Sequence, residues 1–357
     1  MANILVDRHR LNETQLSIDE MPPLANGAVR LKVESFSLTA NNITYAALGD
    51  RFGYWNFFPA SDGMGIVPTW GHAVVEASNH DEVAVGERVY GFLPMGTHLD
   101  VVPGQLTTAG FADLSAHRQA MSPIYNQYSR LAHDPEHDPA REAQRMIFGP
   151  LFKTGFLIEA MFRRENWFGA HTLLMTSASS KTAMSLASVA KDLSPTIARV
   201  GLTSEKHVAF VESTGLYDRV VAYDDVASLP RTMSACVDFA GDAALLHAIH
   251  ERLGDALAYS CLVGLTHVDA PAGEKAGPMR GPAPVLFFAP DHAVATIKEL
   301  GPKGFFEAVA ARWHRFQDIV DGTVTIEERT GLAAAADTYL TILQGIANPG
   351  IATVIRP

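Results

Sequence analysis

Between residue 143 and about residue 290, short apolar runs alternate with helix-like segments, and this alternation restricts the fold more than any other feature. Apolar runs of this length, separated by helices, are typical of buried strands in a parallel sheet. The pattern therefore predicts βαβ units and a doubly wound α/β fold. The predicted strands are 172–177, 196–202, Arg219–Ala222, 235–239, 258–265 and 285–289, and the predicted helices include 182–191, 205–213 and Ala243–Leu253.

Residues 1–130 have a different pattern, which is typical of antiparallel β structure. Residues 28–35 alternate between apolar and polar side chains with a period of two, and residues 83–92 do so around a turn at 85–87. The gaps between such segments are rich in Gly, Pro, Asn and Asp, as loops are. We therefore predict a β-rich domain over residues 1–130.

The polar residues 132–142 and the tail of the chain set the other expected boundaries. Residues 132–142 contain prolines and are predicted to be an exposed loop leading into a second domain over 131–304, with His133 and His137 as an alternative metal site. The shorter, mixed elements after Pro302 indicate that residues 305–357 return to the first domain. They are a helix at 305–319, a strand at 324–326, a helix at 331–344 and a strand at 351–355.

Charge and composition restrict the partners of the chain. Its 357 residues carry a formal net charge of −11, which argues against nucleic acid because phosphate binding needs a basic surface. Local cations and backbone amides can still hold an anionic cofactor. Cys236 and Cys261 are in apolar runs and are predicted to be buried free thiols. Since no run resembles a signal peptide or a membrane span, we expect a cytoplasmic protein. We also expect its substrate to be a small molecule.

Residues 172–187 indicate a phosphate-binding turn between the first strand and the first helix of the α/β region. In a Rossmann domain the cofactor diphosphate binds the amides at this helix start, and glycines usually allow the close approach. Here the small residues Ser177, Ser180 and Ala183 occupy the glycine positions. Hydroxyl groups and a charge for phosphate come from Ser179, Ser180, Lys181 and Thr182. The alternative is an ordinary turn that Ser179 or Ser180 caps.

The end of the second predicted strand indicates which dinucleotide binds. NAD enzymes usually carry an acid there, which bonds the ribose 2′-hydroxyl. Thr203 and Ser204 occupy this position, and Lys206 follows. Two hydroxyls and a cation suit a 2′-phosphate, so the sequence favours NADP(H). Two alternatives stay open: Glu205 provides the acid of an NAD enzyme, or Ser204 caps the next helix, which is compatible with phosphate binding.

Several segments, in this order, resemble the cofactor domain of medium-chain dehydrogenases/reductases of the quinone-oxidoreductase branch. They are 174–180 (LMTSASS), 200–204 (VGLTS), 215–225 (GLYDRVVAYDD) and 237–241 (VDFAG). Residues 68–94 resemble the strand-and-turn region before that family's V-G-[DE]-R-V signature. The resemblance implies a Rossmann NADP-binding domain, a GroES-like catalytic domain built from both ends of the chain, an active site in the cleft, and a homodimer.

The chain departs from the zinc-dependent members of that family. Those members use a catalytic cysteine in the first domain, a Gly-His-Glu motif and a four-cysteine lobe, whereas the first cysteine here is Cys236. His72 follows a glycine but no Glu follows it, and we interpret it as a strand histidine. Zinc needs three or four converging ligands, and we find no such set. The sequence therefore favours a zinc-free, divergent subgroup.

The resemblance places residues 39–50 in the loop for substrate and nicotinamide. Hydride transfer needs a donor for the developing oxyanion or enolate, and hydroxyl or amide groups serve in the absence of zinc. The candidates are Asn42, Tyr45 and Tyr54, the last near the position where zinc-free enoyl reductases place a catalytic tyrosine. The other aromatic residues of 52–58 either line an apolar substrate pocket or anchor the loop in the core.

These features together predict an NADPH-dependent, zinc-independent reductase that acts on a quinone, an enone or a similar conjugated carbonyl. One alternative is a non-catalytic NADP(H)-binding sensor or partner-binding protein of the same fold. Another is a Rossmann-like protein that no longer binds the cofactor. Both stay open because the turn has no glycines and the sequence has no evident acid–base pair.

Overall fold

The secondary structure is that of a computed structural model, which describes residues 1–263 and 279–357. The strands are β1 Ala2–Asp7, β2 Thr14–Ile18, β3 Val29–Leu38, β4 Met64–Ile66, β5 Pro68–Ser78, β6 Arg88–Pro94, β7 His98–Val101, β8 Pro103–Gly104, β9 Gly110–Asp113, β10 Gln127–Arg130, β11 Thr172–Met175, β12 Ala198–Thr203, β13 Arg219–Ala222, β14 Ser234–Asp238, β15 Leu257–Leu262, β16 Val285–Leu286, β17 Thr325–Thr330 and β18 Ile351–Arg356. The helices are α1 Ala40–Ala47, α2 Glu142–Arg164, α3 Lys181–Leu193, α4 Val208–Ser213, α5 Ala243–Leu253, α6 Ala289–Asp321 and α7 Leu332–Leu343.

The alternating segments form the predicted parallel sheet, with the strand order β13-β12-β11-β14-β15-β16 in the described residues. Leu174 on the central strand β11 lies opposite Val200 on one side and Cys236 on the other. These three side chains belong to an apolar core that also contains residues of α5. The strand order reverses between β11 and β14, and ligands bind at the carboxyl ends of the strands at such a point. The doubly wound fold is confirmed.

A second large sheet combines strands from the N-terminal and C-terminal parts of the chain. Its order is β17-β18-β3-β5-β6-β10-β9-β8, and β7 also pairs with β3. A smaller sheet has the order β2-β1-β4. The last strand β18 pairs antiparallel with β3 and places Val354 opposite Ser37. The tail therefore returns to the N-terminal sheet, and the expected β-rich, GroES-like part of the fold is present.

The described residues divide into two compact units. The β unit comprises Met1–Ile147, Ile326–Ala347 and Ile351–Pro357, and the α/β unit comprises the described part of Phe148–Thr325 together with Asn348–Gly350. The expected divisions after residues 130 and 304 therefore differ from these limits. Residues 305–325 stay with the α/β unit because Trp313 and Phe316 in α6 pack against Phe152 in α2.

Several predicted element boundaries are wrong. The helix predicted to begin after Pro302 begins at Ala289, because α6 continues through a kink at Gly301, whose φ of 70° suits glycine. Of the segment 83–92, the turn predicted at 85–87 is present, but only the part from Arg88 onward is a strand, since residues 83 and 84 precede the turn without strand structure. The strand predicted at 258–265 ends at Leu262, and its residues 264 and 265 lie outside the described residues.

Other expectations concern the cysteines and membrane segments. Cys236 and Cys261 are both buried and free, as predicted. Among the described residues, none of the helices combines the length and the apolar character that crossing a membrane requires.

Trp55, in the aromatic segment 52–58, is enclosed almost completely, with 1% of its surface exposed. Two glycines make room for it. A Cβ atom at Gly49 would lie 2.1 Å from the indole Nε1, and one at Gly65 would lie 2.3 Å from Cε3. Any side chain at either glycine would therefore displace the indole from its pocket.

We expect Gly65→Ala to lower the free energy of unfolding by about 1–3 kcal/mol, because overpacking forces backbone or side-chain shifts. Denaturation by urea, followed by tryptophan fluorescence, measures this change. Gly304→Ala in α6 is the control, since its nearest neighbour is Leu300 Cβ at an ordinary 3.5 Å. Equal stability of the Gly65 variant and the unchanged protein would contradict the packing described for Trp55.

Candidate functional site

The turn between β11 and α3, which the sequence predicts to bind phosphate, is tight and contains no glycine. Ser177 has a φ of 47°, in the left-handed region that non-glycine residues rarely enter. The Ser180 N–H donates to the Ser177 carbonyl at 2.7 Å and closes the turn. The Ser177 N–H donates to the hydroxyl of Tyr223 at 3.0 Å. A serine therefore adopts the conformation that a glycine supplies in the usual motif.

The turn is fastened to the neighbouring strand β12. Ala178 donates its N–H to the Leu202 carbonyl at 3.0 Å and accepts a hydrogen bond from the Tyr217 hydroxyl at 2.7 Å. The backbones approach closely because β12 carries Gly201 at this level. A Cβ atom there would lie 2.8 Å from Ala178 Cβ and 2.9 Å from the Tyr217 ring. The glycine that permits the close approach is thus on the next strand.

Helix α3 begins directly after the turn. Of the two predicted caps, Ser180 is the one that caps α3, since its Oγ accepts from the Ala183 N–H at 3.3 Å. Ser179 is buried in the turn, whereas Thr182 is half-buried in the first helical turn. The first amides of a helix have no intrahelical carbonyl partner and carry a partial positive charge. This helix start therefore suits an anion, and capping by Ser180 is compatible with that.

Lys181 makes a backbone contact that the sequence did not indicate. Its Nζ donates to the Pro349 carbonyl at 3.0 Å, within the segment 348–350 of the same unit. Burial lowers the pKa of this ammonium group to about 8, so it is mostly charged at neutral pH. The side chain thus contributes charge near the helix start while it bonds to a backbone carbonyl.

At the end of β12 the structure brings together hydroxyl groups and cations. Thr203 is buried with 1% of its surface exposed, Ser204 is half-buried, and Lys206 is exposed. The sequence analysis missed His207, whose Nδ1 lies 3.2 Å from Ser204 Oγ. Burial, Lys206 and Lys181 lower the pKa of His207. The signal for His207 was its place next to Lys206, three residues after Ser204.

A polar pair at the reversal point of the strand order was also missed. Thr176 Oγ1 donates to Asp238 Oδ1 at 2.5 Å and accepts from the backbone amides of Phe239 and Ala240. Burial raises the pKa of Asp238. These bonds tie the carboxyl ends of β11 and β14 together, and they shape the edge at which a cofactor binds in this fold. The sequence signal for this pair was Asp238, an acid at the end of an apolar run.

In the β unit, two of the three catalytic candidates lie together. The Tyr45 and Tyr54 rings are 4.6 Å apart. The Tyr54 hydroxyl is 3.1 Å from that of Tyr125, and the Trp70 indole N–H donates to the Tyr45 hydroxyl at 3.1 Å. Tyr125, which sequence reasoning missed, completes what we call the tyrosine cluster (Tyr45, Tyr54, Tyr125). Burial raises the pKa of all three hydroxyls, which keeps them neutral hydrogen-bond donors.

Asn42, the third candidate, is occupied by backbone bonds. Its Oδ1 accepts from the Thr39 N–H at 2.7 Å, as part of the capping box of α1. Its Nδ2 donates to the Pro68 carbonyl at 2.8 Å. The side chain is buried and links the helix start to β5. The geometry therefore assigns Asn42 to the fold, and the local signal for a cap was present in the sequence as Thr39 followed by Asn42.

The rest of the aromatic segment anchors the loop. Phe57 and Phe58 are buried, and the Arg118 guanidinium lies 5.6 Å and 4.9 Å from their ring centres. Arg118 pairs with Asp113 at 3.2 Å, and both side chains are fully buried. Of the two readings left open for segment 52–58, core anchoring describes these phenylalanines, while Tyr54 belongs to the tyrosine cluster.

His72 is a strand histidine, as interpreted from the sequence. It lies in β5, is fully buried, and has no hydrogen-bond partner for either ring nitrogen among the described residues. Burial lowers its pKa to about 3. Within residues 1–263 and 279–357, no group of three or more His, Cys, Asp or Glu side chains is placed to hold a metal ion. His137, the other histidine considered for a metal, bonds to Glu142 at 2.9 Å.

Comparison with known proteins adds a family and a fold. A family model described as "Protein of unknown function (DUF2855)" matches residues 36–348. A search of curated proteins with the sequence finds no match.

Solved structures resemble the whole chain at low sequence identity. CurA from Vibrio vulnificus, in complex with NADPH, has 16% identity and a TM-score of 0.64, over 100% of this chain and 99% of its own. The yhdH oxidoreductase from Salmonella enterica, in complex with NADP, has 15% identity and a TM-score of 0.53, over 100% of both chains. A quinone oxidoreductase of Pseudomonas syringae pv. Tomato DC3000 has 15% identity and a TM-score of 0.56, also over 100% of both. These structures share the fold of this chain, so the expected combination of a Rossmann sheet with a GroES-like β-rich part is confirmed.

The strained serine of the turn leads to a stability prediction. We expect Ser177→Gly to raise the free energy of unfolding by about 0.5–1 kcal/mol, because a left-handed φ costs an L-residue more than it costs glycine. Ser188→Gly, the same change inside α3, should instead lower it by about 0.5 kcal/mol. Urea denaturation of both variants measures the two signs. Destabilisation of equal size in both would contradict the positive φ at Ser177.

Proposed function

We propose that this chain, which belongs to the family described as "Protein of unknown function (DUF2855)", is an NADPH-dependent, zinc-independent reductase. Its substrate would be a quinone, an enone or a similar conjugated carbonyl. The observation that carries the proposal is the Ser177 turn at the start of α3, with Lys181, Lys206 and His207 beside it. Similar folds that hold NADPH or NADP, in CurA and in an oxidoreductase, support it.

The residues of the turn and of the β12 end fit the two phosphate sites of NADPH. The start of α3, with Ser179 and Thr182, suits the diphosphate, because helix N-termini favour anions. Ser204 and Lys206 suit the 2′-phosphate, with Lys181 adding charge from α3. Thr203 is enclosed at the end of β12 and supports the position of Ser204. Glu205 is exposed and lies on the turn after the strand, beyond the strand end where an NAD enzyme carries its acid. This position supports NADPH over NADH.

The tyrosine cluster supports a reductase. NADPH, when bound, supplies a hydride to the substrate carbon. The charge that develops on the carbonyl oxygen then needs a donor, and neutral tyrosine hydroxyls in apolar surroundings supply one. Tyr45 accepts from Trp70, whose indole is a donor only, so the Tyr45 proton is directed elsewhere. Tyr45 and Tyr54 are therefore the proposed donors, and Tyr125 is their hydrogen-bonding neighbour.

The domain roles and the assembly are part of the same proposal. The α/β unit is the NADP-binding domain and the β unit is the GroES-like catalytic domain. The chain acts as a homodimer on a small-molecule substrate, as its resemblance to medium-chain dehydrogenases/reductases implies.

Titration with NADPH and NADH tests the nucleotide site directly. We expect NADPH to bind more tightly, and Lys206→Ala to weaken NADPH by about tenfold or more, which is about 1.4 kcal/mol, with little effect on NADH. Lys303→Ala is the control because that side chain is 89% exposed and lies on α6. Equal weakening of both nucleotides would remove Lys206 from the 2′-phosphate site. Failure of the unchanged protein to bind either would favour a chain that has lost the cofactor.

Steady-state oxidation of NADPH with a panel of quinones and enones tests catalysis. We expect Tyr45→Phe or Tyr54→Phe to lower kcat by about 10²-fold or more, as loss of a proton donor does, with unchanged NADPH binding. Tyr339→Phe is the matched control, because its buried hydroxyl has no partner among the described residues. Full activity in both cluster variants would refute this assignment. NADPH binding without turnover of any acceptor would favour the non-catalytic sensor instead.

A further inference from the structure

His207 occupies the last position of the 3₁₀ turn Glu205–His207, directly after β12. It is half-buried, and its Nδ1 lies 3.2 Å from Ser204 Oγ. The serine hydroxyl can donate to a neutral imidazole or accept from a protonated one. The hydrogen bond therefore persists in both protonation states, and His207 can change its charge without leaving its place.

The charges around His207 come from two elements. Lys206 belongs to the same turn, and Lys181 belongs to the start of α3. Burial and these two cations lower the pKa of His207, so the imidazole is neutral near pH 7 when no anion is present. Glu205 on the same turn is exposed, and the segment 348–350, which bonds to Lys181, has no ionisable side chain. Two lysines therefore stand beside one titratable group.

A phosphate monoester bound at this position would favour the protonated form of His207 over the neutral form. It carries about −1.5 to −2 charges at neutral pH, and an opposite charge within a few ångströms favours the protonated imidazole. A ribose 2′-hydroxyl carries no charge and has no such effect. The two nucleotides therefore differ in what they do to His207.

We infer that His207 takes up a proton when the 2′-phosphate of NADPH binds, so that the preference for NADPH over NADH increases as the pH falls. The inference rests on the proposed function and adds a pH-dependent selection of the cofactor. The direction of this pH dependence distinguishes His207 from the lysines. Below about pH 7, where Lys181 with its pKa of about 8 is already mostly charged, a site with lysines alone would lose affinity for NADPH on further acidification, because the phosphate becomes a monoanion near its second pKa of about 6.

The test is the ratio of the two dissociation constants, Kd for NADH over Kd for NADPH, from about pH 8 to about pH 6.5. One proton taken up changes an affinity by at most about tenfold per pH unit, so we expect the ratio to rise about three- to tenfold. Below about pH 7, where Lys181 is already charged, the ratio in His207→Gln should stay flat or fall, since an amide keeps a hydrogen bond to Ser204 but does not titrate. His171→Gln, an exposed histidine before β11, should behave as the unchanged protein.

Calorimetry in buffers of different ionisation enthalpy measures the proton uptake on nucleotide binding independently. NADPH binding near pH 7 should take up more protons in the unchanged protein than in His207→Gln, in which Lys181 is the remaining group that titrates, and NADH binding should show no such difference between the two proteins. A flat ratio with tight NADPH binding, or an identical pH profile in His207→Gln, would overturn this inference and leave the proposed function intact. Absence of binding of either nucleotide at every pH would overturn the proposed function and this inference with it.

Discussion

The close approach of residues 176–180 to β12 is the constraint on which the geometry of the α/β unit depends. Ala178 bonds to Leu202 and Tyr217, and this fit requires the bare backbone of Gly201. Once the turn is held, α3 begins at Lys181 at the carboxyl end of the sheet, where an anion is favoured. A turn without glycines keeps Rossmann geometry because Ser177 adopts a left-handed φ and the neighbouring strand provides the space.

In the β unit, the corresponding constraint is a buried ion pair. Arg118 and Asp113 are both fully buried, and a charge in such surroundings is tolerated only when it is paired and well bonded. Arg118 also donates to the Tyr128 hydroxyl, which in turn donates to the Phe92 carbonyl. Through Phe57, which the Arg118 guanidinium approaches, this network fixes the segment that carries Tyr54. The position of the tyrosine cluster thus follows from a polar network beneath it.

The local charges at the end of β12 have the opposite sign to the net charge of the whole chain. The protein has a net charge of −11, yet Lys181, Lys206 and His207 act on one another at the end of β12. Two of these groups are partly withdrawn from water, which strengthens their interaction with an anion. The local field, rather than the net charge, therefore determines what binds there. The same withdrawal, together with the two lysines, lowers the pKa of His207.

The sequence by itself determined the fold class, because alternation of strands and helices is a local pattern. It also determined the turn after β11 and the hydroxyl and lysine residues after β12, because these follow strand ends directly. Only the tertiary structure decided which side chains meet. Tyr54 meets Tyr125, 71 residues away, and Lys181 meets Pro349, 168 residues away. Contacts of this kind leave no local signature. The assignment of Asn42 to a helix cap was likewise decided by its two backbone bonds, which exist only once α1 lies against β5.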